Sequence, residues 1–202
     1  PLAPVQASSI DGSQTAEIDD ALSVQGLGTG TVVLGIHIAA PGLAIQPGSE
    51  LDKLGRTRLS TVYMPGYNFS FQPAPAAQIY TLDAGRANPA VSLYVTIDEA
   101  TLEITATETR LERVPVAVNL RHDQIDHIVT EAWLEDAAIQ HENTPQALLD
   151  LREQLSFLYR LALQLKAGRE QVRGKPETFN RPDYTFRLQG NDGAEPQGTE
   201  QV

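Results

Sequence analysis

Four carboxylates fall within ten residues near the start of the chain, in the segment Ile10-Asp11-Gly12-Ser13-Gln14-Thr15-Ala16-Glu17-Ile18-Asp19-Asp20-Ala21. Like charges this close repel, and in a partly buried loop each acid is driven toward its protonated form. A divalent cation removes that conflict and keeps the carboxylates ionised. Ligation by carboxylates alone suits a hard ion, Mg2+ or Mn2+, which keeps several waters and takes one or two carboxylates together with phosphate oxygens. Such an ion can polarise a phosphate and lower the pKa of a bound water. An EF-hand is excluded, because the alternating Asp/Asn pattern and the closing Glu are missing. A solvated acidic loop without function is the competing reading. The flanking Ile10, Ile18, Ala21 and Leu22 are apolar and predict that the loop is anchored in a core, which favours a site.

The elements that must hold this loop can be read from periodicity. Thr31 to Ala39 is a β-branched run of buried-strand character, and Leu22 to Val24 pairs with it across a turn at Gly26 to Gly30. That turn reads GLGTG but lacks the Lys-Ser/Thr ending of a phosphate loop and the helix of a dinucleotide fold, so it is a hairpin turn. Val91 to Ile97 and Leu102 to Thr107 alternate and flank a hairpin connection at Asp98 to Thr101. Pro41 to Pro89, rich in Gly, Pro and Ala, is expected to be long and partly irregular, with one short helix around Leu51 to Leu59. Asp123 is a candidate N-cap for a helix burying Ile125, Ile128, Val129, Ala132 and Trp133. Thr144-Pro145 starts a second helix, whose stripe Leu148, Leu151, Leu155, Leu158, Ala162 and Leu165 runs to Gly168 as core packing. Tyr184 to Leu188 reads as a last strand, and Ala194 to Val202 shows no core-forming pattern. The pattern is α+β: a mixed, mostly antiparallel curved sheet with packed helices.

The net charge of −11 is unlike that of a generic nucleic-acid binder, but its distribution is uneven. No Lys or Arg precedes Lys53, whereas seven basic residues from Arg160 to Arg187 meet only Glu170, Glu177 and Asp183. An acidic front and a basic back are compatible with a metal site beside a phosphate-binding surface, and equally with ordinary solvated faces. The absence of cysteine excludes disulfides and thiolate metal sites, which fits a cytoplasmic protein. No apolar run is long enough to span a membrane, and Pro1 to Ser9 does not read as an export signal. His37 reads as a hydrogen-bonded core histidine, His127 and His141 as helix-surface residues.

Ser9 to Val24, SIDGSQTAEIDDALSV, resembles the signature of the RNB catalytic domain, the ribonuclease II family of 3′→5′ exoribonucleases. The resemblance continues collinearly through GIHIAAPG at Gly35 to Gly42 and GSELDKLGRTRLSTVYMPGYN at Gly48 to Asn68. It resumes at Ile79 to Leu82 and at Phe179-Asn180-Arg181-Pro182-Asp183-Tyr184. It implies that Asp11 and Asp20 coordinate Mg2+ (or Mn2+) with the scissile phosphate, and that Asp19 falls on the carboxylate most needed for catalysis. Glu17 falls where the family has a fourth Asp and completes the implied metal set of Asp11, Glu17, Asp19 and Asp20. Tyr63 matches the aromatic that stacks on a base near the RNA 3′ end, and Phe179 its partner in the clamp. His122 aligns with a family Tyr near the catalytic pocket, and Arg58 is a candidate phosphate contact. The family strand motif ends in Asp where this chain has Ala40.

The resemblance covers the N-terminal half of one RNB catalytic domain over residues 1–202, so the chain is expected to be a fragment or nicked product. Its expected partners are single-stranded RNA and the C-terminal half of the domain, from the same protein or a second chain. The implied activity is hydrolytic release of nucleoside 5′-monophosphates. Two rivals stand beside it: a catalytically inactive RNB-like module binding RNA or protein, kept open by Glu17 and Ala40, and an acidic metal-binding structural domain, which leaves Tyr63 unexplained.

Overall fold

The structure is a computed structural model describing residues 1–13, 15–64, 67–178 and, as backbone, 184–186 and 199–201. Two compact units make up the chain, one from residues 1–41 and 78–175, the other from residues 42–77 and 176–202.

In the first unit, β1 (Ala7–Asp11), β2 (Asp20–Gln25) and β3 (Thr31–Ala39) form a meander. Leu22 to Val24 pairs with Ile36 to Leu34 as the alternation predicts. The GLGTG segment is the hairpin turn between β2 and β3, and Gly26 has a φ of 82°, where a Cβ would meet Thr31 O. Further along the chain, β6 (Ala87–Asp98) and β7 (Ile104–Arg121) make a long hairpin. β3 pairs antiparallel with β6, and β1 pairs in parallel with β7, which closes a five-stranded barrel in the order β1-β2-β3-β6-β7. The two hairpin turns are tied by Glu99, whose carboxylate accepts from Gly28 N at 2.8 Å and Gly30 N at 3.0 Å. Those donors hold its acid below the usual carboxylate range.

Small residues let so narrow a barrel fill. Ala3, Val5, Ala7, Ala21, Ala90, Val114 and Val116 form its apolar core with Ile18, Leu82 and Tyr94. At the level of Gly35 the interior is polar. His37 is fully buried, with Nε2 2.9 Å from Ser23 Oγ and Nδ1 2.8 Å from Ser92 Oγ. Tyr94 stands edge-on to it and donates to the buried Glu112 at 2.6 Å. The hydrogen-bonded core histidine expected at position 37 is thus present, as buried polar groups require.

Outside the barrel, Val32, Leu34, Val95 and Ile97 pack against Phe157 and Leu161 of α5 (Gln146–Arg173). Each side chain buried to this degree contributes about 1.5–3 kcal/mol. A third cluster joins Leu120 and Leu148 to Ile125 of α3 (His122–Ile125) and to Ile128 and Trp133, the latter on α4 (Glu131–Glu135). Arg152 clamps α4 onto α5, stacking 4.3 Å over the Trp133 ring and donating to Trp133 O and Asp136 O.

Several expectations are corrected here. β7 runs to Arg121, well past Thr107, because it first pairs with β6 and then with β1. Leu102 lies in the turn with a φ of 58° instead of opening the strand. The single helix expected from Asp123 is broken into α3 and α4, and the cap is Thr130, which accepts from Trp133 N. Thr144 does not cap α5: its hydroxyl donates to His141 O, and Pro145 holds the cap position. The helix continues through Gly168 to Arg173; of the expected stripe Leu148 is buried and Leu151, Leu155 and Leu158 pack partly buried, whereas Ala162 and Leu165 are exposed and Phe157 and Leu161 add to the buried face. His127 and His141 are exposed but lie in turns or loops outside the helices.

In the second unit, Ser49 caps α1 (Glu50–Arg58), accepting from Asp52 N, and Asp52 pairs with Arg56 one turn on. The stretch from Pro41 to Pro89 holds more structure than expected. Besides α1 it contains the hairpin of β4 (Val62–Met64) and β5 (Tyr67–Phe69), and α2 (Ala74–Tyr80), which crosses the unit boundary. β8 (Tyr184–Phe186) pairs with β9 (Thr199–Gln201), so the tail contains a strand where no pattern was read. Among the described residues no helix is long and apolar enough to cross a membrane.

The polar barrel interior yields two predictions. A Cβ at Gly35 would stand 2.5 Å from Ser23 Oγ and 2.7 Å from His37 Nε2, so Gly35→Ala should cost about 1–3 kcal/mol in urea unfolding. Burial holds the His37 pKa below its ordinary 6.5, against an opposing pull from Glu112. As pH falls through 6.5 the unfolded chain takes up a proton that the folded chain refuses, so stability drops until the folded pKa is reached. The urea midpoint should fall on acidification below that pH, and His37→Gln should flatten this part of the profile.

Candidate active site

The acidic cluster occupies one end of the barrel, where strand ends and a tight loop meet. Asp11 is the last residue of β1 and lies opposite Arg121, the last residue of β7. Asp20 is the first residue of β2, opposite Ile38, and Ala39 N donates to Asp19 O at 2.8 Å. Loop 12–19 therefore folds back between antiparallel neighbours and returns Asp19 and Asp20 to the end of the barrel that Asp11 occupies. Ile18, buried near its end, is the anchor: its N–H donates to Thr81 Oγ1 at 2.8 Å, and its carbonyl accepts from Leu82 N at 3.0 Å. Arg121 braces the outer part, donating to Gly12 O and Thr15 O at 3.0 and 3.2 Å. The expected apolar anchoring holds for Ile18 and Ala21, while Ile10 faces outward.

The Asp19 carboxyl is pushed above the usual carboxylate range, first by desolvation as it sits against the protein, then by the negative charges of Asp20 and Asp11. The residue as a whole is still exposed, so water can reach it. Asp11 is half-buried and accepts a 2.5 Å hydrogen bond from Ser9 Oγ. Glu17 is half-buried within the loop, one residue before the anchor Ile18. Among the described residues no three Asp, Glu, His or Cys side chains converge as a group that could hold a metal ion by themselves. The donor chemistry is nevertheless that of a hard cation, which needs only one or two carboxylates when water and phosphate complete its shell.

The remaining candidates fall in different places. His122 opens α3 directly after Arg121, at the acidic end of the barrel, exposed and 3.2 Å from Asp126 Oδ1. Tyr63 and Arg58 belong to the second unit. Tyr63 is 73% exposed on β4, opposite Asn68, with Tyr67 and Phe69 also exposed and edge-to-face at 4.9 Å. Arg58 donates to Ser70 O at 2.7 Å and is otherwise turned to solvent. Phe179 lies outside the described residues.

Sequence reading missed Ser9, Thr81, Asn119 and Arg121, the side chains that hold the loop. Asn119 Nδ2 donates to Ser9 Oγ at 2.9 Å and to Leu82 O at 3.0 Å, and its Oδ1 accepts from Ala84 N at 2.7 Å. Only the parallel pairing of β1 with β7 puts Asn119 beside Ser9, and no local signal announces it.

Comparison with known proteins agrees with this architecture. The family described as RNB domain matches residues 2–201. Exoribonuclease 2 of Pectobacterium atrosepticum is 33% identical over 188 residues, covering 89% of this chain and 26% of that protein. The chain thus spans about a quarter of the length of the curated relatives it matches. Mycoplasma genitalium RNase R in complex with ribose-methylated single-stranded RNA superimposes with a TM-score of 0.75 at 18% identity, over 99% of this chain and 29% of that one. Yeast Ssd1, a pseudonuclease, superimposes at 0.62 and 23% identity over 86% of this chain and 19% of its own. At those identities the two structures speak for the fold alone. The match over nearly the whole chain settles the family: this chain belongs to the RNB domain family.

Proposed function

We propose that this chain provides the acidic site of a metal-dependent exoribonuclease that degrades single-stranded RNA from its 3′ end and releases nucleoside 5′-monophosphates. The observation that carries the reading is the return of Asp19 and Asp20 to the barrel end that Asp11 occupies, where desolvation and then the charges of Asp20 and Asp11 raise the proton affinity of Asp19. Charges held together against their repulsion are expected where a cation belongs. In this reading Asp11 and Asp20 hold Mg2+ or Mn2+, with Glu17 as a further carboxylate of the loop. The bound ion supplies polarisation of the scissile phosphate and a more acidic water.

Asp19 feels the charges of both proposed ligands and is exposed, which suits a carboxylate that orients water by accepting its proton in a hydrogen bond. Tyr63, solvent-facing on a short hairpin, suits stacking on a base of any identity, with Phe179 as its proposed partner. His122 and Arg58 are donors for RNA, the former at the acidic end of the barrel. The partners in this reading are single-stranded RNA and the second half of the domain. The same fold in a pseudonuclease makes a non-cleaving RNA- or protein-binding module the alternative.

The deciding experiment follows 5′-labelled single-stranded RNA with and without Mg2+, using the chain alone and mixed with the remainder of a complete RNB protein. Mg2+-dependent shortening from the 3′ end supports the enzyme, and binding without shortening supports the inactive module. Asp19→Asn in the active preparation should abolish turnover while leaving RNA affinity nearly intact, because the amide keeps shape but loses the charge that orients water. Tyr63→Ala should weaken RNA binding by roughly ten- to a hundredfold, the equivalent of about 1–3 kcal/mol of stacking. A filter-binding assay should show similar losses for poly(A) and poly(U); a strongly base-specific loss would argue for edge recognition instead.

A further inference from the structure

The acidic cluster is built on two arms, and both are tied to one short stretch of chain, Thr81 to Ala84. The arm carrying Asp19 and Asp20 is held directly, through the paired hydrogen bonds of Ile18 with Thr81 Oγ1 and Leu82 N. The arm carrying Asp11 is held through side chains. Asn119 bonds Leu82 O and Ala84 N with the two ends of its carboxamide and turns its Nδ2 to Ser9 Oγ as well.

The direction of these bonds is fixed by their partners. Leu82 O can only accept and Ala84 N can only donate, so Nδ2 and Oδ1 of Asn119 are assigned without ambiguity. Ser9 Oγ then accepts from Nδ2, and its single proton is left for Asp11 Oδ2 at 2.5 Å. Ser9 and Asp11 stand two residues apart on β1 and so share a face, and Asn119 is the cross-strand partner of Ser9. Ser9 is only 3% exposed, so its hydroxyl must find its partners inside the protein.

Resting on the metal reading above, we infer that Ser9 and Asn119 are positioning residues for Asp11, engaging Oδ2 so that Oδ1 is the oxygen presented to a divalent cation. Without the serine proton, Asp11 is free to rotate about its side-chain bonds, and the cost of ordering it falls on metal binding. Partners of this kind typically carry ten- to a hundredfold in metal affinity.

The test is a Mn2+ titration of the 202-residue protein, followed by loss of the free-ion electron paramagnetic resonance signal, for wild type, Ser9→Ala, Ser9→Thr and Asp11→Asn. Ala7 already occupies the preceding inward position of β1, so an alanine at position 9 keeps the strand, and a circular-dichroism melt checks that it does. Ser9→Ala should weaken Mn2+ binding by about ten- to a hundredfold, and Ser9→Thr, which keeps the hydroxyl, should stay near wild type. If Ser9→Ala binds as wild type while Asp11→Asn does not, the positioning role is overturned and the metal reading stands. Equal losses in Ser9→Ala and Ser9→Thr also overturn it, since the hydroxyl is then not the cause. If Asp11→Asn binds as tightly as wild type, or wild type holds no Mn2+ at millimolar concentration, the metal reading falls and the positioning role with it.

Discussion

Closure of the barrel depends on the parallel pairing of β1 with β7, which joins residues 7–11 to residues 116–121 across most of the chain. The other junctions of the ring are antiparallel, and β2–β3 and β6–β7 are hairpins that local sequence can form. A parallel pair needs a long crossover, and its loop-closure entropy is met only once the intervening strands are in place. The arm of the acidic end that carries Asp11 takes its place from this junction. The pairing sets Asp11 opposite Arg121 and Ser9 opposite Asn119, and it lets Arg121 reach the carbonyls of Gly12 and Thr15. The site is therefore a product of the finished barrel, even though its carboxylates are neighbours in sequence.

A narrow five-stranded barrel leaves little room inside, and the chain meets that limit with alanine, serine and Gly35 on inward positions. The polar layer of Ser23, His37, Ser92, Tyr94 and Glu112 is fully bonded within itself by the contacts described, so it is compatible with burial. Burial and the neighbouring Glu112 raise the Tyr94 hydroxyl well above its ordinary range, which keeps it a donor. Further apolar burial is placed outside, where the outer face of β3 and β6 meets Phe157 and Leu161. Both layers contribute stability, and the interior also fixes register: a one-residue slip would bring β-branched residues to the places of serine and glycine.

Much of this was legible in sequence. The strand Thr31–Ala39, its partner at Leu22 to Val24 and the GLGTG turn follow from period-two alternation and glycine. The acidic segment announced itself by charge density and by its likeness to the RNB signature. The breaks in legibility have physical causes. β7 is legible only as far as Thr107, because the exposed Glu108, Thr109 and Arg110 that follow break the apolar alternation and only pairing carries the strand through them. The division into α3 and α4 follows from a buried turn, Ile128 and Val129, whose apolar residues mimic helical periodicity. α5 outruns its buried face, since beyond Leu161 it continues on helix-forming residues alone until Gly174. The supports of the site, Asn119 and Thr81, are single polar residues whose meaning depends on partners 110 and 63 residues away.

Under the proposed function, a chain with a net charge of −11 must also be reconciled with an anionic polymer as substrate. Exposed charges act over roughly one Debye length, about 8 Å at physiological salt, so the total charge matters less than the sign of each surface RNA touches. At the acidic end, a bound divalent ion would invert the local sign and turn a repulsive cluster into a phosphate site. Tyr63 works differently. Stacking on a base requires an exposed aromatic face and no positive charge, and the exposed hairpin of β4 and β5 provides one. In the proposed reading the grip on RNA comes from bases stacked on Tyr63 and from a cation at the acidic end, and counterion release by clustered Lys and Arg, the usual origin of nucleic-acid affinity, has the smaller share.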